Sequence, residues 1–299
     1  MNPANPVTLD SLPNEVFVQI LSDFTTRALL PLTSVNHRFH ALVLRILHYR
    51  LLLSTPLDGY KLLLECFHPS SKLTEPHVFC KYLGTDGLSE RHDGAGSLYE
   101  NVDTAHQLGR VTGLYSRFRP EVSGSEEERD MEDSKFDLSP VALDGYEEFS
   151  QLCVVANIVQ VKPGTSLLLS ASTIEDGVVR LWREWLRRQS GEMNKARTDL
   201  EDGSEKPRTS SDDDILWVDL SKTVGLKMRV RPKAWDPSFP VLVHQDDRND
   251  DSWVGYEVTL QELHIRSTRL LLAIEQSKEE QKIHQTNAMI IGATPISVS

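Results

Sequence analysis

The chain has 299 residues, a mass of 33.8 kDa, 39% apolar and 25% charged residues, and a net charge of −12 with a pI near 5.3. That length suits roughly two domains and the composition builds a core, so collagen-like and wholly disordered chains are excluded. A phosphate-backbone binder needs a basic face and a membrane span needs ~18 consecutive apolar residues; the sequence has neither, so no nucleic acid and no membrane is expected as a partner.

The N-terminal block reads as three helices. Pro13 suits a first helical position, and Glu15 complements the helix dipole in the first turn. Val16, Ile20 and Phe24 recur at i, i+4, with Phe17 and Leu21 broadening the stripe. Thr25 or Thr26 caps a second helix, and Pro31 lies in its first turn or breaks it. Leu29, Leu32 and Val35 follow at i+3. A third helix runs from about Asn36 to Leu52, with Phe39, Leu42, Val43, Ile46 and Leu47 on one face.

Beyond residue 55 the period changes. Val224, Leu226, Met228 and Val230 alternate with more polar neighbours, as do Tyr256, Val258 and Leu260, which is the signature of half-buried strands. Short strands are also expected at Tyr60–Phe67, Val78–Leu83, Leu152–Val161, Ser166–Ser172, Leu216–Val218, Val241–Val243 and Leu270–Ile274. Many short strands with loops between them favour a sandwich or barrel. Gly177–Arg188 reads instead as a helix, with Val178, Leu181, Trp182 and Trp185 on its apolar face. Two acidic stretches interrupt the pattern: residues 121–137 carry eight acidic against two basic residues, and 189–214 eight against four. Neither buries enough apolar surface to offset ordering entropy, so both read as mobile insertions, and the chain from about Ser277 reads as a frayed tail.

Residues 12–52 hold 22 apolar residues out of 41, more than three short helices bury among themselves. The order Leu12-Pro13-x-Glu15-Val16, then Ile20-Leu21, Leu29, Leu32 and Val35-Asn36-x-Arg38-Phe39 resembles the F-box. Phe24 and Pro31 depart from the usual pattern. The resemblance implies a three-helix module that docks on the Skp-type adaptor of cullin-based SCF ubiquitin ligases. It carries an adaptor-binding role onto Leu12, Pro13, Val16, Ile20, Leu21, Leu29, Leu32, Val35 and Phe39, divided between the module's core and its interface. It also implies a non-catalytic substrate receptor, with ubiquitin transfer performed elsewhere in the ligase. The two-part plan is similar to that of fungal-type F-box proteins.

Other chemistry is thinly supported. His68, His77, His92 and His106 lie too far apart for the usual zinc spacings, so no metal and no cofactor is expected. Asp93-Gly-Ala-Gly-Ser97 lacks the lysine of a phosphate loop, and no G-x-S-x-G places a nucleophile. Ser123, Ser125, Ser210 and Ser211 each precede an acidic residue by three and read as solvated loop positions before kinase sites. Trp182 and Trp185 are expected on the sheet with the neighbouring arginines solvated, and Trp217, Trp235 and Trp253 are expected buried rather than lining a groove. Three scattered cysteines, Cys66, Cys80 and Cys153, form no disulfide framework. With no basic, apolar leader in the first 30 residues, they point to a reducing compartment, cytoplasm or nucleus.

The sequence thus describes an α+β protein: an F-box helical module at 8–54, a mostly β domain, sandwich or jelly-roll-like, at 55–276 with disordered acidic insertions, and a flexible tail at 277–299. Its expected partners are the Skp-type adaptor, a cullin reached through it, and a protein substrate. The alternatives are an F-box protein acting outside a ligase, and a stand-alone ligand-binding β domain with structural N-terminal helices.

Overall fold

A computed structural model describes residues 12–69, 77–85, 88, 111–121, 136–138, 141–143, 147–162, 167–191, 215–233, 254–283 and 289–290. Helices α1 (Asn14–Ser22), α2 (Thr26–Leu29) and α3 (His37–Ser54) come first; α4 spans 183–191, and α5 spans Ser267–Ile283. The strands are β1 (Lys61–Phe67), β2 (His77–Thr85), β3 (Tyr115–Pro120), β4 (Phe136–Asp137), β5 (Val141–Leu143), β6 (Phe149–Val161), β7 (Leu167–Trp182), β8 (Ile215–Trp217), β9 (Val224–Lys233), β10 (Val254–Arg266) and β11 (Met289–Ile290). The chain divides into two compact units: residues 1–58, 84–116 and 266–287 form the first, and 59–83, 117–265 and 288–299 the second.

The first unit is helical. Phe17, Val18, Leu21, Leu29, Leu42, Val43, Ile46 and Leu47 bury together as one core. Further along α3, Leu51 joins Leu88, Val111, Leu114 and Leu271 of α5 in a second core. Pro13 is the residue before the first helical turn of α1, not within it, and its carbonyl accepts from the Phe17 amide at 3.1 Å. Thr25 caps α2, and Pro31 falls in a 3₁₀ segment, Leu30–Ser34, that continues from it. The start of α5 is tied by buried hydroxyls, with Ser116 Oγ 2.8 Å from Ser267 Oγ.

The second unit is a predominantly antiparallel sheet of eleven strands in the order β11-β7-β6-β1-β2-β3-β10-β9-β8, with β4 and β5 also on β10. The β content expected from the sequence is present, and the strands join in one hydrogen-bonded sheet. Alternation marks one buried face per strand, and that pattern is the same in a sandwich and in a single sheet. In β6, Leu152, Val154, Ala156 and Ile158 turn inward, paired with β7 from Phe149↔Trp182 to Val161↔Leu168.

Three sequence expectations are corrected here. Residues 177–182 continue β7, and the helix begins only at 183. Over so short a stretch Val179 and Leu181 satisfy a strand period as readily as a helical one, and pairing with β6 decides for the strand. Leu270–Ile274 is helical, not a strand: Leu270, Leu271, Ala273, Ile274 and Ser277 are all buried, which is helical spacing. Helix α5 runs on through the buried Ser277 to Ile283, because that spacing extends into the polar segment where fraying was expected. The Val241–Val243 strand and most of both acidic stretches lie outside the described residues.

Two consequences are measurable. A Cβ on Gly225 of β9 meets Ile215 Cγ2 at 2.6 Å and the Trp217 ring at 2.8 Å, because Gly225 sits opposite Trp217 in the β8–β9 register. Gly225→Ala therefore displaces β8 and costs about 1–3 kcal/mol, read by chemical denaturation with tryptophan fluorescence. Burial pushes the Cys66 and Cys80 thiols well above the ordinary cysteine range. Since the thiolate is the reactive form, iodoacetamide at pH 8 leaves both unmodified in the native protein and alkylates both in denaturant, as peptide mass mapping will show.

Candidate functional site

The Val35-Asn36-x-Arg38-Phe39 segment assembles the N-terminal module, each polar residue with its own task. The Asn36 side chain caps α3 by accepting from the Phe39 amide at 2.8 Å. Arg38 reaches back to the start of α1: Nε donates to Asn14 Oδ1 at 2.9 Å, Nη2 donates to the Leu12 carbonyl, and the guanidinium lies 5.3 Å from the Phe17 ring centre. Phe39 meets Phe17 edge-on, centroids 4.8 Å apart at 80°. One short segment thereby fixes where α1 begins, where α3 begins and how the two cross.

A second tie holds the corner between α1 and α2. Arg50 Nη2 donates to the carbonyls of Ser22 at 3.0 Å and Phe24 at 2.5 Å. Its Nη1 donates to Glu275 Oε1 of α5 at 3.0 Å and to Thr26 Oγ1 at 3.0 Å. The same carboxylate accepts from the Thr26 amide at 2.9 Å and its hydroxyl at 2.7 Å. The carboxylate thus serves the first amide of α2, where a negative charge is favoured. Sequence reasoning missed Glu275, and no local signal marks it, since 225 residues separate it from Arg50.

The nine residues assigned to adaptor binding separate into three groups. Leu21 and Leu29 are buried in the module's core. Leu12, Leu32 and Phe39 are partly buried against it. Pro13, Val16, Ile20 and Val35 face solvent. The stripe of Val16 and Ile20 therefore points away from the core that Phe17, Val18 and Leu21 build on the same helix. Phe24 and Leu30, which the assignment left out, are also exposed.

Val16 is 40%, Ile20 43%, Phe24 45%, Leu30 47% and Val35 58% exposed. Among the described residues, five of eleven exposed large apolar side chains thus fall within residues 16–35. Single exposed apolar residues are ordinary, and such a concentration within one small module makes it the candidate interaction surface. The side chains that form it offer packing surface and no titratable group.

The other candidates give less. Among the described residues no group of three or more His, Cys, Asp or Glu is placed to hold a metal ion, and no helix is long and apolar enough to cross a membrane. His92, His106, the 93–97 turn, the four serines, Trp235 and Trp253 lie outside the described residues. In the tryptophan–arginine stretch Arg180, Arg187 and Arg188 are exposed as expected, but two positions are reversed: Trp182 is 47% exposed, whereas Arg183 is buried and its Nε donates to the Glu147 carbonyl at 2.9 Å. The strand-to-helix switch at 183 causes this, putting Trp182 on the outer face of β7 against Phe149, centroids 5.0 Å apart. Trp217, expected to be buried, is half-buried and lines an open cleft of about 530 Å³ in the second unit.

Residues 9–54 match the F-box-like family model. No curated protein and no solved structure matches the chain. F-box domains bind Skp-type adaptors and are typically non-catalytic.

Arg50→Ala tests the second tie. It leaves the Glu275 carboxylate, 21% exposed, without its cation though still bonded to Thr26, and uncovers two carbonyls at the α1–α2 corner. A loss of about 1.5–3 kcal/mol is expected in denaturant unfolding, against under about 0.5 kcal/mol for Arg27→Ala at an exposed position of the same module.

Proposed function

We propose that this protein is the substrate-recognition subunit of an SCF-type ubiquitin ligase. The N-terminal module docks on a Skp-type adaptor, a cullin is reached through that adaptor, and the β-rich unit holds a protein target. The observation that carries the reading is the exposed apolar set Val16, Ile20, Phe24, Leu30 and Val35 on the module matched by the F-box-like family. Within the nine-residue assignment, Pro13, Val16, Ile20 and Val35 make the contact, while Leu21 and Leu29 hold the module's shape. Leu12, Leu32 and Phe39 sit at the boundary.

The work of such a subunit is proximity. A target held beside a ubiquitin-charged enzyme presents its lysines at high effective concentration, and no side chain of this chain enters the covalent step. Cys66, Cys80 and Cys153 form no disulfide, which fits a cytoplasmic or nuclear setting where thiols stay reduced.

Co-expression with a Skp-type adaptor tests the reading. The wild-type chain co-purifies with the adaptor. Val16→Asp with Ile20→Asp abolishes the complex while unfolding stability changes by less than about 0.5 kcal/mol, because both positions are exposed. Leu21→Ala behaves in the opposite sense: it lowers stability by about 2–5 kcal/mol, the cost of a cavity at a buried leucine. A soluble, folded chain that does not retain the adaptor sinks the proposal.

A further inference from the structure

One face of the second unit gathers cations in an otherwise acidic chain. In β9, Leu226, Met228 and Val230 turn inward, so Lys227, Arg229, Arg231 and Lys233 stand on the opposite face, and Arg231 and Lys233 are exposed. Neighbouring β10 continues that face through its irregularity between Leu260 and Glu262: Glu257 lies opposite Arg231, Thr259 opposite Arg229 and Glu262 opposite Lys227. Beyond β10 lies β3, where Phe118 is buried, Arg117 is half-buried and Arg119 is exposed.

Glu262 shows that the three strands present one surface. Contact with His264, whose Nε2 lies 3.4 Å from the carboxylate, and the charges of Lys227 from β9 and Arg117 from β3 hold it below the usual carboxylate range, against the opposing effect of burial. Two strands thus aim cations at one carboxylate of the third. Among the described residues, six cations share this face with two carboxylates, Glu257 and Glu262, and Asp137 of β4 lies opposite Thr259 in the register. Arg229 Nε is buried with no hydrogen-bond partner among the described residues. Against a chain charge of −12, the face is a local positive site.

The spacing of the charges narrows the occupant. The cations of β9 recur at every second residue, about 7 Å apart, and span about 20 Å from Lys227 to Lys233. An extended peptide sets its alternate side chains at that same interval, so carboxylates at alternate positions meet the β9 row one for one. A nucleic acid matches less well, since its phosphates run on past the patch over a chain of net charge −12 and are repelled there.

We propose that the outer face of β3, β10 and β9 binds a short acidic segment of a partner protein, laid extended along β9 with alternate carboxylates on Arg229, Arg231 and Lys233. Arginine supplies forked donors to a carboxylate, and Arg119 adds charge from β3. The site deepens the proposed function, on whose receptor reading it rests, by naming the class of target it selects.

The test uses the full chain without adaptor, so its failure and the failure of adaptor docking are separate results. The probe is a fluorescein-labelled, amidated heptapeptide of alternating glutamate and serine, followed by anisotropy at low ionic strength. Binding is expected, and it weakens as salt is added. Arg231→Glu with Lys233→Glu, both at exposed positions, raises Kd at least about tenfold without moving the unfolding midpoint. Arg119→Glu, on a different strand, raises Kd at least about threefold, which keeps the proposal testable should the double variant unfold. Arg187→Glu with Arg188→Glu on α4 makes the same change in net charge at exposed positions and leaves Kd within about twofold. The alternating lysine–serine peptide does not bind. No binding of the glutamate peptide, equal affinity for the lysine peptide, an equal loss in the α4 variant, or indifference to the β9 and β3 variants overturns the proposal. So does a single-stranded oligothymidylate of seven nucleotides that binds as tightly as the glutamate peptide, which marks a nucleic acid as the occupant.

Discussion

The structure of the first unit follows from one shortage: three short helices carry more apolar surface than they enclose. Helix α3 answers part of it by serving two cores. Leu42, Val43, Ile46 and Leu47 close the core of α1 and α2, while Leu51 joins Leu271 of α5 in the second. A domain of about 40 residues seldom sustains itself on such a core, and it draws stability from whatever packs beside it. Helix α5, from the far end of the sequence, is that neighbour for one side. Val16, Ile20, Phe24, Leu30 and Val35 are what remains uncovered, and their exposure is the residue of the same shortage.

Much of this was legible in the sequence, and the limit has a physical cause. The apolar spacing located all three helices, and the α2 cap was narrowed to Thr25 or Thr26 because capping is local; Thr25 holds it, and Asn36, where the third helix was expected to start, caps α3. The division of the nine motif residues was not readable. Val16 and Phe17 are equally apolar, and a stripe wide enough to face a core on one side and a partner on the other looks like a single broad stripe. Only the seating of Phe17 against Phe39 and Arg38 turns Val16 outward. Leu270–Ile274 failed for a related reason: five apolar residues in a row satisfy either period, and the polar continuation through Ser277 was discounted.

In the second unit, period two located the strands but left their assembly open. Pairing order is a non-local property, and its determinants lie in steric details such as Gly225 lying bare beneath Trp217, or Gly177 beside Val218. Strand β10 illustrates the point. Its alternation of Tyr256, Val258 and Leu260 was plain, yet nothing in it reveals that β9, β4 and β5 all pair with this one strand.

The tie between Arg50 and Glu275 connects the shortage in the first unit to its exposed face. An ion pair at the surface contributes little by itself. This one is mostly covered, its two side chains 17% and 21% exposed, and each partner also serves backbone groups. Arg50 occupies the carbonyls of Ser22 and Phe24, and Glu275 occupies the amide of Thr26. Those three groups lie at the bend that separates Ile20 from Phe24 and Leu30. The pair therefore acts less as an energy term than as a brace, holding a four-residue helix at a fixed angle that its own length could not maintain. A rigid apolar face loses less entropy on docking than a flexible one, so under the proposed docking a carboxylate 225 residues from its arginine is part of what presents the N-terminal surface.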